Sequence, residues 1–194
     1  EERRLRVDNQ PYGSLLEETM KRVFKEHPYQ WSVIGSMDHL DAAEEADYKT
    51  FYKDFYVPEN AVLSIAGDLD VEETKQLIDK YFSTIPAGGK AIYRPDITEP
   101  AMKGETRDTV YDNIQLPAVI QAYRIPEQGT PDSYAVEMLT QALSVGNSSR
   151  LSIRAVDQEQ KAVFAGAFPL ALEDEGVLIN YGICNMGIDP MDLE

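Results

Sequence analysis

Cysteine occurs once, tryptophan once and histidine twice in 194 residues. The lone Cys184 excludes an internal disulfide and a cysteine-rich zinc site. His27 and His39 are not spaced as a helical ligand pair, so they do not assemble a three-ligand zinc site on their own. Cations are scarce as well: 18 Lys and Arg stand against 34 Asp and Glu, for a net charge of −16. Nucleic-acid phosphates and an acidic membrane surface both repel such a chain. No apolar run approaches the roughly 20 residues of a membrane span. The Walker loop and the G-x-G-x-x-G turn are missing, as is the G-x-S-x-G nucleophile elbow.

What is present is a core. Hydrophobic residues make up 43% of the chain and charged residues 27%, which fits a globular protein of one large domain or two small ones. The chain opens on Glu1 rather than Met, inside a charged helical pattern, and shows no signal peptide. This reads as a fragment of a longer protein.

The stretch from Asp41 to Thr84 organises the rest. Tyr48, Phe51, Tyr52 and Phe55 recur at helical spacing. Asp41 and Glu44 have the spacing of a capping box. Pro58 disfavours helical geometry at Val57 and ends the helix. Ala61–Ala66, AVLSIA, is an apolar run of strand length closed by Gly67-Asp68. Asp70 and Glu73 form a second capping box, and Thr74, Leu77, Ile78, Tyr81 and Phe82 make the inward stripe of the next helix. The unit reads as helix, strand, helix, with the apolar residues in its core.

Upstream, a helix is expected from Tyr12 to Glu26, with Leu15, Leu16, Thr19, Met20, Val23 and Phe24 on one face. Pro11 suits its entry, and His27-Pro28-Tyr29 stops it. His27 reads as a helix-end cation favoured by the dipole, and His39 as a surface residue. Residues 29–40 read as a loop in which Trp31 plugs a core edge. Residues 86–105, with Pro86, Gly88, Gly89, Pro95, Pro100 and Gly104, carry no period and mark a linker. Beyond it the pattern predicts strands at 107–113, 118–125, 162–168 and 176–184, the last one-sided, and at 61–67 before it. Thr130-Pro131-Asp132 opens a helix over 131–145 that Gly146 stops. Ser148 is placed to cap a short helix through Val156. The expected class is α+β, a mainly antiparallel sheet flanked by helices.

Several of these pieces, in this order, resemble the middle of pitrilysin-type (M16, inverzincin) zinc metallopeptidases. They are His27-Pro28-Tyr29, Val33-Ile34-Gly35, Tyr56-Val57-Pro58-Glu59-Asn60-Ala61, Gly67-Asp68 and Ser148-Ser149-Arg150-Leu151. The resemblance covers nearly the whole chain. It implies parts of two consecutive half-modules: residues 1–90 close the first, 91–105 link, and 106–194 open the second. The family's H-x-x-E-H motif, two zinc-binding His and a general-base Glu, is absent here. The family's third zinc ligand is a Glu that stands before a basic pair, in a segment like EERRLRVDNQPYG. That places the ligand at Glu2, with Glu1 as the alternative. Without the resemblance, Glu2 is a solvated acid paired with Arg6 at i+4.

The implied parent is a zinc-dependent endopeptidase acting on peptides or unfolded proteins, enclosing them with a second M16 module or subunit. The 194 residues alone are then expected to be inactive, to hold no zinc and to self-associate. The other class is a non-catalytic M16-like partner or structural core subunit. The resemblance points first to the bacterial periplasm, with the cytoplasm and the mitochondrial matrix as alternatives.

Overall fold

Three of the predicted strands find one another. β1 (Ala118–Ile125), β2 (Ala162–Leu170) and β3 (Gly176–Cys184) form an antiparallel sheet in the order β1-β3-β2. Ala118 faces Ile183 and Ile125 faces Gly176 on one side of β3, while Leu170 faces Val177 on the other. A bulge between Ala162 and Phe164 shifts the start of β2. The computed structural model describes all 194 residues, Glu1–Glu194. They divide into two compact units, Glu1–Ile34 with Thr98–Glu194, and Gly35–Ile97.

In the first unit the sheet is covered on both faces. Val177 and Ile179 of β3 pack with Met20, Val23 and Phe24 around α1 (Leu15–Val23). Leu178 points the other way and packs with Ile125 and Ala167, under Val136, Leu143 and Leu151. Val136 and Leu143 belong to α5 (Pro131–Ser144), whose N-cap Thr130 accepts from the Ser133 N–H. β3 is thus not one-sided. As the central strand it is buried on both faces, and its residues 176–179 are apolar without a break. Gly176 is required by a close approach: a Cβ there would lie 2.3 Å from the Leu170 carbonyl oxygen.

Helical boundaries moved for local reasons. Tyr12 sits at φ 61°, so α1 begins only after Ser14. The helix expected from Ser148 instead runs from Arg150 and continues as a π-helical stretch over Ser152–Gln158. Leu139 remains exposed, while Val136 and Leu143 carry the core contact of α5. A last short helix, α6 (Pro190–Leu193), is capped by Asp189.

The second unit holds α2 (Met37–Ala42), α3 (Glu45–Phe55) and α4 (Val71–Phe82). α2 lies mostly within residues 29–40, where the sequence pattern predicts a loop. Ser36 caps it, accepting from the His39 N–H, so Asp41 lies inside a helix and the capping box moves to Glu44 and Asp47. Asp70 caps α4 as expected, accepting from the Glu73 N–H at 2.8 Å. No residue between Gly35 and Ile97 is buried. Tyr48, Phe51, Tyr52, Leu77, Tyr81 and Phe82, expected in a core, are exposed. The rings instead stack along their own helix, Phe51 on Phe55 at 4.7 Å and Tyr52 on Tyr56 at 5.2 Å.

Two expected strands are absent. Residues 61–67 have no strand partner, and the backbone of Val62–Ala66 makes no hydrogen bond. A strand exists only through its neighbour, and none borders this run. Residues 107–113 are also irregular. There the Thr109 and Asn113 N–H groups donate to Asp108 and Asp112 side chains, and Asp108 is held by Arg22, which competes with a ladder. No helix is long and apolar enough to cross a membrane.

Candidate functional site

Glu2 opens a helical segment whose next turn, Arg4–Asp8, is π-helical, closed by the Asn9 N–H donating to the Arg4 carbonyl at 2.9 Å. Such turns recur at functional sites. Arg3 anchors the segment. Its guanidinium reaches Glu17 on α1 at 3.0 Å and Asp8 at 3.3 Å. Glu17 also pairs with Lys21 at 2.9 Å. Burial pushes the Glu17 carboxyl up, but hydrogen bonds and charge from Lys21 and Arg3 pull it net below the ordinary value. The Glu17 hydrogen bond raises Lys21 in turn, against partial burial. Gly13 completes the anchor. A Cβ there would stand 2.3 Å from the Val7 carbonyl oxygen, so only glycine lets the segment turn back into α1.

Glu2 itself is solvent-facing and pairs with Arg6 at 3.1 Å, at i,i+4. An exposed helical pair of this kind is worth about 0.3–0.5 kcal/mol. The carboxylate is therefore free to trade Arg6 for a stronger cation at little cost. No group of three or more His, Cys, Asp or Glu side chains in the structure is arranged to hold a metal ion. Glu2 is a single oxygen donor, and these residues do not form a zinc site by themselves.

Neither histidine joins it. His39 is exposed, at the start of α2. His27, expected at the end of a helix, is 6% exposed and lies past the Phe24 C-cap of α1, where it caps the short turn Pro28–Gln30. Its Nδ1 accepts from the Tyr29 N–H at 3.2 Å, and its Nε2 lies 3.2 Å from an Asp174 oxygen. The Asp174 N–H donates to the Tyr29 hydroxyl at 3.3 Å. The three residues tie the exit of α1 to the β2–β3 turn and are structural. Trp31, expected to plug a core edge, is exposed.

Sequence reasoning missed Glu99. Its carboxylate accepts from three successive backbone N–H groups, Lys25 at 2.8 Å, Glu26 at 2.9 Å and His27 at 2.8 Å. The donors are all backbone N–H groups, so no residue type could have signalled it. Asp108 adds a second tie to the α1 region, at 2.9 and 2.6 Å from the Arg22 guanidinium. Cys184 is buried, and burial pushes its thiol up, so it is no nucleophile. A pocket lined by Pro11, Tyr12 and Asn113–Leu116 holds no carboxylate, histidine or cysteine.

The family described as "Peptidase M16 inactive domain" matches residues 43–190. Among curated proteins, the zinc protease PqqE of Helicobacter pylori is 33% identical over 181 residues, covering 92% of this chain and 41% of that protein. The crystal structure of a protease from Helicobacter pylori superposes with a TM-score of 0.92 at 31% identity, over 99% of this chain and 47% of that one. The M16 inactive domain from Pseudomonas fluorescens gives 0.72 at 18%, over 92% and 43%. The periplasmic protease PqqL of Escherichia coli gives 0.58 at 20%, over 81% and 18%. The last two show a shared fold. The chain spans about two fifths of the length of the curated relatives it matches first.

Proposed function

This chain belongs to the M16 peptidase family, and on that premise we propose that it is part of a zinc-dependent metalloendopeptidase in which Glu2 is one metal ligand. The observation that carries the reading is the Glu2 segment. It is a solvent-facing carboxylate, weakly paired, at the head of a π-helical turn locked to α1 by Arg3, Glu17 and Gly13. Glu1 is the second choice. The matching relatives named zinc proteases support zinc in the parent.

Bound zinc would supply Lewis acidity and a water of lowered pKa for peptide-bond hydrolysis. The remaining ligands and the general base would come from an H-x-x-E-H segment outside these 194 residues. This chain's own work is positional. Arg3 and Gly13 hold the helix that presents Glu2, and Glu99 and the His27 cluster hold the exit of α1, on which that helix rests. The half-module boundaries 1–90, 91–105 and 106–194 are part of this proposal, as are a peptide substrate, a second M16 module as partner and a periplasmic setting. Without its partner module the chain is inactive and associates with itself.

The test is Glu2→Gln in the full-length parent, which keeps the shape and removes the charge. Zinc retention should fall below stoichiometric and kcat/KM by about 10²-fold or more, since even residues behind the ligands are worth 10–100-fold. A variant with full zinc and parental activity sinks the assignment and moves it to Glu1. A parent that cleaves no peptide with Glu2 intact supports the non-catalytic partner reading.

A further inference from the structure

Tyr12 sits at φ 61°, in the left-handed region that a bulky L side chain rarely adopts. Strain of this kind persists only where the surroundings hold it, and it gathers at functional sites. What the strained backbone keeps in place here is a ring. The Tyr12 hydroxyl donates to the Leu116 carbonyl at 2.7 Å, from 104 positions away in sequence. Leu116 is fixed in turn. The next carbonyl, that of Pro117, accepts from the Cys184 N–H at 2.9 Å, just before the first β1–β3 pair, Ala118 and Ile183. On its other side the turn that carries Tyr12 rests on the Glu2 segment. The Gly13 N–H donates to the Gln10 carbonyl at 2.9 Å. Gly13 also lies so close to the Val7 carbonyl oxygen that a Cβ would come within 2.3 Å of it. Val7 belongs to the π-helical turn, Arg4–Asp8, that follows Glu2. Arg3 ties this segment to Glu17 on α1, and the Tyr12 hydroxyl is a separate tie, to the lead-in of β1.

We propose that Tyr12 is a positioning residue, whose hydroxyl sets the Glu2 segment in register with the start of β1 and so fixes where the Glu2 carboxylate stands. The proposal rests on the reading of Glu2 as a metal ligand in the parent. Tyr12 touches neither metal nor substrate. It acts through Gly13, Val7 and the turn that carries Glu2. The carboxylate itself pairs with the exposed Arg6, so its reach is set by the backbone beneath it, and a ligand held this way depends on the groups behind it. A turn with no such duty would be served better by glycine at this position, which removes the strain. Tyrosine keeps the strain and gains the tie to Leu116.

Zinc affinity by chelator competition, and thermal melting of the metal-free protein, test this in the full-length parent. Tyr12→Phe keeps the ring and the strain and loses only the hydroxyl. It should weaken zinc binding about 10–100-fold, the range for groups that orient ligands. Its metal-free melting temperature should stay within about 4 °C of the parent's, as befits one lost hydrogen bond. Tyr12→Gly, which relieves the backbone, should weaken zinc at least as much. In a Glu2→Gln background, Tyr12→Phe should weaken zinc no further. Parental zinc affinity in either Tyr12 variant overturns the proposal. So does a larger fall in melting temperature for Tyr12→Phe, which makes the residue a structural one, or a loss of zinc that persists undiminished in the Glu2→Gln background. Glu2→Gln alone separates the two claims. If it holds zinc as tightly as the parent, the ligand reading fails and takes this inference with it. If it loses zinc while Tyr12→Phe keeps it, the inference about Tyr12 alone fails.

Discussion

Replacing Glu99 with Gln probes the carboxylate that takes up the backbone N–H groups at the exit of α1. Its Oε1 accepts from Lys25, and its Oε2 from both Glu26 and His27. An amide offers one oxygen and one NH2 group, so at least one of the three N–H donors must face another donor. A hydrogen bond to a charged group contributes about 1.5–3 kcal/mol. The site is half-exposed, and water recovers part of the loss, so the expected cost is about 1–2 kcal/mol. For a chain of this size that lowers the melting temperature by roughly 2–8 °C. Desolvation raises the Glu99 carboxyl, but the three backbone donors and Arg124 bring it net below its ordinary value. A depressed folded-state pKa stabilises above the unfolded-state value of about 4.3, and the contribution drains as pH falls through the folded-state pKa. Thermal melts of both proteins should therefore differ at pH 7 and converge as the pH drops below about 4. Amides of Lys25–His27 should exchange faster in the variant at neutral pH. An unchanged melting temperature at pH 7, or a gap that persists undiminished at pH 3, would refute the reasoning.

Other outcomes follow from the same packing. Phe24→Ala removes a ring that is 1% exposed, against Val177 and Ile179, and should cost about 3–5 kcal/mol in urea unfolding. Gly176→Ala drives a methyl towards the Leu170 carbonyl and should cost about 1–3 kcal/mol; a neutral result would show that the β2–β3 turn shifts freely. Sedimentation of the 194-residue chain should show association that grows with concentration, through the uncovered apolar surface of α3, α4 and Ala61–Ala66. A single monomer at all concentrations would count against that.

What was legible in the sequence depended on where each element's partner lies. β1, β3 and α5 could be read almost to the residue, because alternation and the Thr130-Pro131 cap are local and their packing partners are in this chain. The AVLSIA run shows the limit: its strand pattern was visible, but a pattern supplies no neighbour. His27 misled for a related reason. Its Nδ1 partner is two residues away, yet its Nε2 partner, Asp174, is remote in sequence. The Glu99 cradle was invisible, since backbone N–H groups leave no mark on composition. α2 was missed because Met37–Ala42 is too short for a period, and only Ser36 signals it. Glu2 came from a motif rather than from any local physics; in the structure it is exposed and paired with Arg6.

Anomalous diffraction at the zinc edge, from crystals of the zinc-loaded full-length parent, tests the central claim most directly. One ion per M16 active site should appear with a Glu2 carboxylate oxygen about 2.0–2.2 Å away, and Arg6 should have swung off that oxygen. Zinc bound with Glu2 still paired to Arg6, and another carboxylate in the coordination shell, would contradict the account.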